Sequence, residues 1–518
     1  MKDYTNIESQ QGLANLSLWL TVAALAAAPL LSLLLFTALV ICRRKGKETE
    51  LRRITGVLLF VFGVLAAIEG IPPLPTLLQW IFCLTPFFNA LVCCAVLSVS
   101  FFGIGEQSTD SLLLQEAKRQ REQRYKHSKH MDLHSRLHAF IAGTTGSGKT
   151  TALLHYIKDS IRKGKPIFII SGKCGTGDKR SLLSMTKALA KRCGREMYLI
   201  SFHPNETERR RYNPFRNMSA GAVADAIIAC NDFTEPYYRD AMHFWLETVC
   251  EMLQRAGIPF SLEAICRFYE FEAFQGLLTE LRDNGKLTAE EYRRYLSYKR
   301  YAEAAAEGRI KLLRLLHGDG SEVFGSGICA MDARLDKAIF FVDLDSFNYD
   351  AFTRLVGALA IHDICNMIAN ETEPEQPKRI ICDEISCYAT EKLLGIYSRA
   401  RSFGFQVIAA TQSIADLEKI SPEYASVLLE NSGQYLVLQL NDAADAERMA
   451  KIIGTFEDIE TTHKTEGSAL EGSGTKKVVH AFKVPPDTIK ELRPLTAVYY
   501  NKSRPDEVVM LAVTFIEP

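Results

Sequence analysis

"HAFIAGTTGSGKTTALLHYI", His138 to Ile157, sets three glycines, a lysine and several threonines between a short apolar run and an amphipathic one. The spacing Gly-x-x-x-x-Gly-Lys-Thr, here Gly143 to Thr150, is a phosphate-binding P-loop when a buried strand enters it and a helix leaves it. Both flanks fit: Ala139 to Ala142 is apolar, and Ala152, Leu153, Leu154, Tyr156, Ile157 and Ile161 recur at helical spacing. The plain alternative is a glycine-rich turn. Under the P-loop reading, Gly143, Thr144, Thr145, Gly146, Ser147, Gly148, Lys149, Thr150 and Thr151 cradle a nucleotide. Backbone N–H groups and the positive end of the helix face its phosphates. Lys149 would reach the β- and γ-phosphates, and the Thr150 hydroxyl would ligate Mg2+.

Working outward, the chain of 518 residues is long enough for two or three domains, and its formal net charge of zero excludes a global field toward nucleic acid or anionic lipid. The 13 cysteines contain no Cys-x-x-Cys pair, which argues for reduced, buried thiols and against a zinc site. His127, His130, His134 and His138 recur at a near-regular step, but no cysteine or carboxylate joins them, so they read as solvated.

Residues 1–105 read as a transmembrane region. Its candidate spans are 16–42, 54–71 and 77–104, each long enough or nearly so for a bilayer core of ~30 Å. The basic stretch "RRKGKETELRR", Arg43 to Arg53, lies between the first two. The positive-inside rule places it in the cytoplasm and puts everything after Ile104 on the same side. The expected location is therefore the cell membrane, multi-pass, with a cytoplasmic C-terminal body. Residues 106–136 form a basic connector, a segment suited to lipid headgroups or, alternatively, to nucleic acid at an entry collar.

After the P-loop helix, "KPIFIISGK" and "EMYLISF" read as buried parallel strands around a helix from Ser181 to Arg192. From about Met218 to Arg334 only helix-like runs occur. Strand patterns resume with "KAIFFVDLDS", and after a helix from Tyr349 to Ala369 comes "KRIICDEIS", Lys378 to Ser386. Alternation of strand and helix implies a doubly wound α/β sheet, with ligands at the carboxyl ends of its strands. The expected organisation is a nucleotide-binding domain split between 137–217 and 335–518, with an all-α domain, 218–334, inserted. Asp383 at the end of "IICD" is placed to hold the Mg2+ shell, and Glu384 to polarise the attacking water as general base. "GFQVIAATQS" is a further strand ending in Thr411 and Gln412, whose amide is placed to sense the γ-phosphate; "QYLVLQLND" is another.

Together, "GTTGSGKT", "YNPF" at Tyr212 to Phe215, "IICDEIS", "ARSFGFQVIAATQSIADL" and "LENSGQYLVLQLNDAADAERMAKIIGT" resemble the type IV coupling proteins of bacterial conjugation, over about Leu133 to Pro518. The resemblance implies a RecA-like motor with an inserted all-α domain, anchored in the inner membrane and assembled as a homohexamer. It implies an ATPase that uses ATP and Mg2+, recruits a relaxase bound to single-stranded DNA, and passes it to a type IV secretion channel. Lys149 and Thr150 match the family's P-loop pair, Asp383 and Glu384 its second acidic motif, and Gln412 the glutamine that follows. Arg401 stands where the family's trans-acting arginine does. Three spans with little outside depart from the two spans and periplasmic portion of many members. The rival readings are a chromosome-type DNA translocase, a protein-only secretion ATPase and a solute transporter. Three spans whose one charged residue, Glu69, lies near the end of the second offer no path of charges for a solute and disfavour the last.

Aromatic residues of the insertion, Tyr237, Tyr238, Phe244, Trp245 and Tyr269, interleave with Arg267, Arg282, Arg293 and Arg294 in a pattern suited to stacking on DNA bases. A helical core with a charged face explains the same pattern without DNA.

Overall fold

Short runs of isoleucine, phenylalanine and valine without alternating polar residues form strands covered on both faces, the signature of a parallel sheet. The computed structural model describes residues 125–517, apart from 130, 174–177, 204–205, 232, 319, 347, 349, 422 and 467–468. The three candidate spans and most of the connector lie outside the described residues. The strands are β1 (Lys126–Ser128), β2 (Ala139–Ala142), β3 (Ile167–Ser171), β4 (Met197–Ser201), β5 (Ile339–Asp343) and β6 (Lys378–Asp383), then β7 (Phe405–Thr411), β8 (Gln434–Val437), β9 (Thr455–Glu466), β10 (Ala469–Phe482), β11 (Thr496–Asn501) and β12 (Val508–Ala512).

Among the described residues ten strands form one sheet, in the order β1-β12-β11-β8-β2-β7-β6-β3-β5-β4. From β8 to β4 every pairing is parallel. β11 alone runs against its neighbours, and β1 adds in parallel to β12. The fold is therefore mixed α/β with a large parallel sheet.

Alternation along each strand feeds two cores. Phe168 and Ile170 of β3 face one side with Phe340 and Val342 of β5, while Ile167 and Ile169 face the other with Ile339 and Phe341. Helices Lys149–Arg162 and Leu182–Arg192 cover the second side; the Ser181 side chain caps the latter by accepting from Ser184 N. The first side is covered by helix Asp350–Ala369, and its apolar core runs on without a break into the helical insertion. Phe352–Ala369 is the one stretch among the described residues long and apolar enough to cross a membrane, and it lies mostly buried in this core.

The insertion is helical, as its sequence leads one to expect, with Ala220–Ala229 and Pro236–Ala256 at its start. The run from Glu290 to Gly318 reads as one helix but is three, Ala289–Leu296, Lys299–Ala304 and Gly308–Leu316. Gly308, the first residue of the third, packs too closely for a side chain: a Cβ on it would stand 2.5 Å from the Tyr269 hydroxyl and 2.6 Å from the Met242 sulfur. Phe271–Asp283 is a helix not singled out from the pattern. Trp245 and Tyr269 prove to be core residues, joined by a Trp245 Nε1 bond to Tyr269 O of 2.7 Å, whereas Tyr237, Tyr238 and Phe244 are exposed.

Three further differences from the sequence reading concern the motor. β1 lies inside the stretch read as connector, so the sheet begins before residue 137. The antiparallel hairpin β9–β10 has no counterpart among the expected strands. His138 is not solvated but buried, because it leads directly into the central strand β2.

Candidate nucleotide site

The carboxyl ends of β2, β7, β6 and β3 lie side by side, and each delivers a polar residue to one edge. β2 runs into the P-loop, whose path is held by Gly143 N donating to Thr411 O (3.3 Å) and Thr144 N to Gln439 O (2.8 Å). Gly148 precedes helix Lys149–Arg162 with φ at 114°, and a Cβ there would lie 2.9 Å from Leu495. That combination requires glycine. The first amide bonded within the helix is Ala152 N, to Gly148 O at 3.0 Å, so the amides of Lys149, Thr150 and Thr151 point back along the axis toward the loop.

Lys149 is buried in the curl of the loop and donates to Gly143 O (2.5 Å) and Thr144 O (3.1 Å). Burial, with Lys173 nearby, draws its ammonium down to about 8, against the pull of Glu384 and Asp383.

β7 separates β2 from β6, so Gln412, just beyond β7, stands between the P-loop and the acidic strand end. Its amide bridges them: Thr145 Oγ1 donates to Gln412 Oε1 (2.8 Å), and Gln412 Nε2 donates to Glu384 Oε2 (2.9 Å). Lys173 completes the chain with its ammonium 3.2 Å from Glu384 Oε2. Glu384 adopts the left-handed region at φ 51° and ψ 56°, a conformation costing a non-glycine residue about 1–3 kcal/mol. The neighbouring turn holds it there, with Cys387 N donating to Glu384 O at 3.1 Å.

Asp383 is almost wholly buried. Burial raises its carboxyl above the ordinary range, while Lys173, Lys149 and a 3.5 Å bond from Ser171 Oγ work against that rise. Its Oδ1 has no hydrogen-bond partner among the described residues. A buried carboxylate oxygen with unused capacity, at the edge that carries the Thr150 hydroxyl, fits a hard cation held through oxygen. No cluster of three His, Cys, Asp or Glu occurs among the described residues. Mg2+ is commonly held by one or two protein oxygens and substrate phosphates rather than by a protein cage, and Thr150 and Asp383 supply two such oxygens.

The structure thus brings Lys149, Thr150, Asp383, Glu384 and Gln412 to one edge, but not Arg401. Arg401 sits in a 3-10 turn, Ala400–Phe403, before β7 begins, at the amino end of the sheet. Sequence reasoning missed Lys173 and the Thr145 contact. Lys173 follows β3, and only the pairing of β3 with β6 reveals that it meets Glu384.

A P-loop before a helix and an acidic strand end two strands away define the class: a P-loop nucleoside triphosphatase fold. Residues 131–482, more than half of the chain, match the family model of the type IV secretion-system coupling protein DNA-binding domain, and the chain belongs to that family. No match was found among curated proteins. The fold resembles that of the bacterial conjugative coupling protein TrwBdeltaN70 in its unbound form, at 16% identity and a TM-score of 0.55, over 73% of this chain and 85% of that one. It also resembles the plasmid coupling protein TrwB in complex with ADP and Mg2+, at 17% identity and a TM-score of 0.54, over 77% and 92%. TrwB with the non-hydrolysable GTP analogue GDPNP aligns at 16% identity and a TM-score of 0.53, over the same shares.

Proposed function

We propose that the chain is an ATP-driven coupling protein of conjugative transfer. In this reading it is anchored in the bacterial inner membrane by its N-terminal spans, with the motor cytoplasmic and working as a homohexamer. It recruits a relaxase with its single-stranded DNA and delivers both to a type IV secretion channel. The observation that carries the reading is the unbroken chain Thr145–Gln412–Glu384–Lys173 laid across the strand ends beside Lys149 and Asp383. Membership of the coupling-protein family supports DNA as cargo.

ATP binds with its phosphates along the P-loop amides. Lys149 exchanges its two carbonyl contacts for phosphate oxygens. Thr150 and Asp383 would hold Mg2+, which would supply positive charge against the charge developing on the phosphates. Glu384 accepts the proton of the attacking water, oriented by its bonds to Gln412 and Lys173. The bond from Thr145 to Gln412 links P-loop conformation to the base, so loss of the γ-phosphate is felt at Glu384. Arg401, too far to act on its own chain's nucleotide, serves a neighbouring subunit.

The test is hydrolysis by the full chain with single-stranded DNA added. Stimulation by DNA of any sequence, falling steeply as salt rises, is expected because phosphate neutralisation dominates such binding. Turnover indifferent to DNA at every salt concentration contradicts DNA as cargo and favours protein-only secretion.

A further inference from the structure

Beyond β12 the chain runs back beside the P-loop helix Lys149–Arg162. Val513 and Ile516 are buried in the core that this helix covers, whereas the Phe515 ring between them is 67% exposed. A single exposed aromatic is ordinary in itself. This one has a fixed mount that reaches the P-loop. Val513 N donates to Leu495 O (2.8 Å), Leu495 N donates to Ser147 O (2.9 Å), and His155 Nε2 donates to Thr514 O (2.9 Å). Leu495 makes both of its bonds from the left-handed region, at φ 62°, with its side chain against Gly148. From the other side the Arg180 guanidinium lies 6.0 Å from the centre of the Phe515 ring, and Arg180 N donates to Asp178 Oδ1 (2.8 Å), which fixes the turn before helix Leu182–Arg192. An apolar ring and a cation are thus held in solvent beside the phosphate cradle.

His155 lies one helical turn, about 5.4 Å, beyond Thr151, the last residue of the cradle, and the two share the partly exposed side of the helix. Direction decides what reaches Phe515. In the proposed function the γ-phosphate faces Gln412 and Glu384, which follow β7 and β6 on one side of β2. β8, β11 and β12 lie on the other side of β2. A nucleotide so placed carries its base away from β6 and toward the segment that follows β12. We propose that Phe515 is the platform on which the nucleobase stacks, with the Arg180 guanidinium beside it. An aromatic face recognises the π-system that every base presents, and a guanidinium adds cation–π attraction. The segment after β12 therefore selects a nucleotide over a bare phosphate chain. The inference rests on the ATPase reading and deepens it, since neither residue belongs to a nucleotide-binding motif.

Two ligands separate stacking from bracing of the loop: ATP, and tripolyphosphate, which has the phosphate chain without the base. In the full chain with Mg2+, Phe515→Ala should weaken equilibrium binding of ATP roughly five- to a hundredfold, the range for one base losing one aromatic. Binding of tripolyphosphate, read by titration calorimetry, should match that of the wild type, which also shows that the variant is folded. Phe515→Trp should keep the affinity for ATP, and the fluorescence of the added indole should change with ATP and not with tripolyphosphate. Equal weakening of both ligands by Phe515→Ala overturns the inference, because the segment then only braces the P-loop. So does an affinity for ATP equal to that of the wild type. A wild-type chain that binds neither ligand overturns the ATPase reading and this inference with it, an outcome visible before any variant is made.

Discussion

Glu384 combines three features that a carboxylate in a plain acidic turn has no reason to share. It is buried, its backbone is left-handed, and both oxygens are engaged, Oε1 by Gln412 N at 3.3 Å and Oε2 by Gln412 Nε2 and Lys173. Under the proposed function it orients a water and contributes little to holding a nucleotide, which that reading assigns to Lys149 and the loop amides. Replacing Glu384 by Gln should therefore leave nucleotide affinity close to wild type and lower turnover by about 10²–10⁴, the usual worth of a general base. Single-turnover hydrolysis alongside equilibrium binding separates the two effects, and wild-type turnover would remove Glu384 from the role. The acid pair and Gln412 were legible because each ends a strand whose apolar run announces it. Lys173 was not, because its partner is set by the order β6-β3, and pairing order leaves no local trace in a sequence.

At the scale of elements, the joint between the sheet and the inserted helices is made by a buried carboxyl. Asp363, on helix Asp350–Ala369, accepts from the Tyr212 hydroxyl (3.0 Å) and from Ala330 N (2.8 Å), at the start of helix Ala330–Leu335. Burial pushes Asp363 up to about 8 and draws His138 and His362 down to about 4. The folded chain thus binds a proton at Asp363 that the unfolded chain has released above ~3.9, and stability from this group falls as pH rises toward 8. The histidines act in the opposite sense, but only between about 4 and ~6.5, where the unfolded chain binds protons the folded chain refuses. Between pH 6.5 and 7.5 Asp363 acts alone among the three, with a slope of up to ~1.4 kcal/mol per pH unit. Tm should fall across that interval, and Asp363→Asn should flatten the fall; an unchanged slope in the variant contradicts the assignment. Lys149 acts in the opposite sense only near and above its value of about 8.

The parallel strands were legible as continuous apolar runs, and helix Leu182–Arg192 as the helical stretch between two of them. The hairpin β9–β10 was not: "TFEDIETTHKTE" contains only two apolar residues, Phe456 and Ile459, so no apolar run announces the strand. The break of the run 290–318 into three helices was equally hidden, since helical spacing continues through both joints.

For the whole molecule, the sheet puts the P-loop at one end and Arg401 and Lys502 at the other. β2 links them, leaving the P-loop at its carboxyl end and His138 at its amino end. This division was half legible. The P-loop motif gives its own edge, whereas a cavity at the amino end, lined by Arg401, His138 and Lys502, gathers residues from separate stretches of the chain that only the folded sheet brings together.

The central claim, that this edge is an ATP-hydrolysing site, is tested most directly by Mg2+-dependent phosphate release from ATP by the full chain, wild type against Lys149→Ala. Release by the wild type that stops on chelation of the metal and is abolished in the variant is the predicted result. Equal release by both proteins, or none by the wild type with ATP and Mg2+ saturating and DNA present, would contradict it.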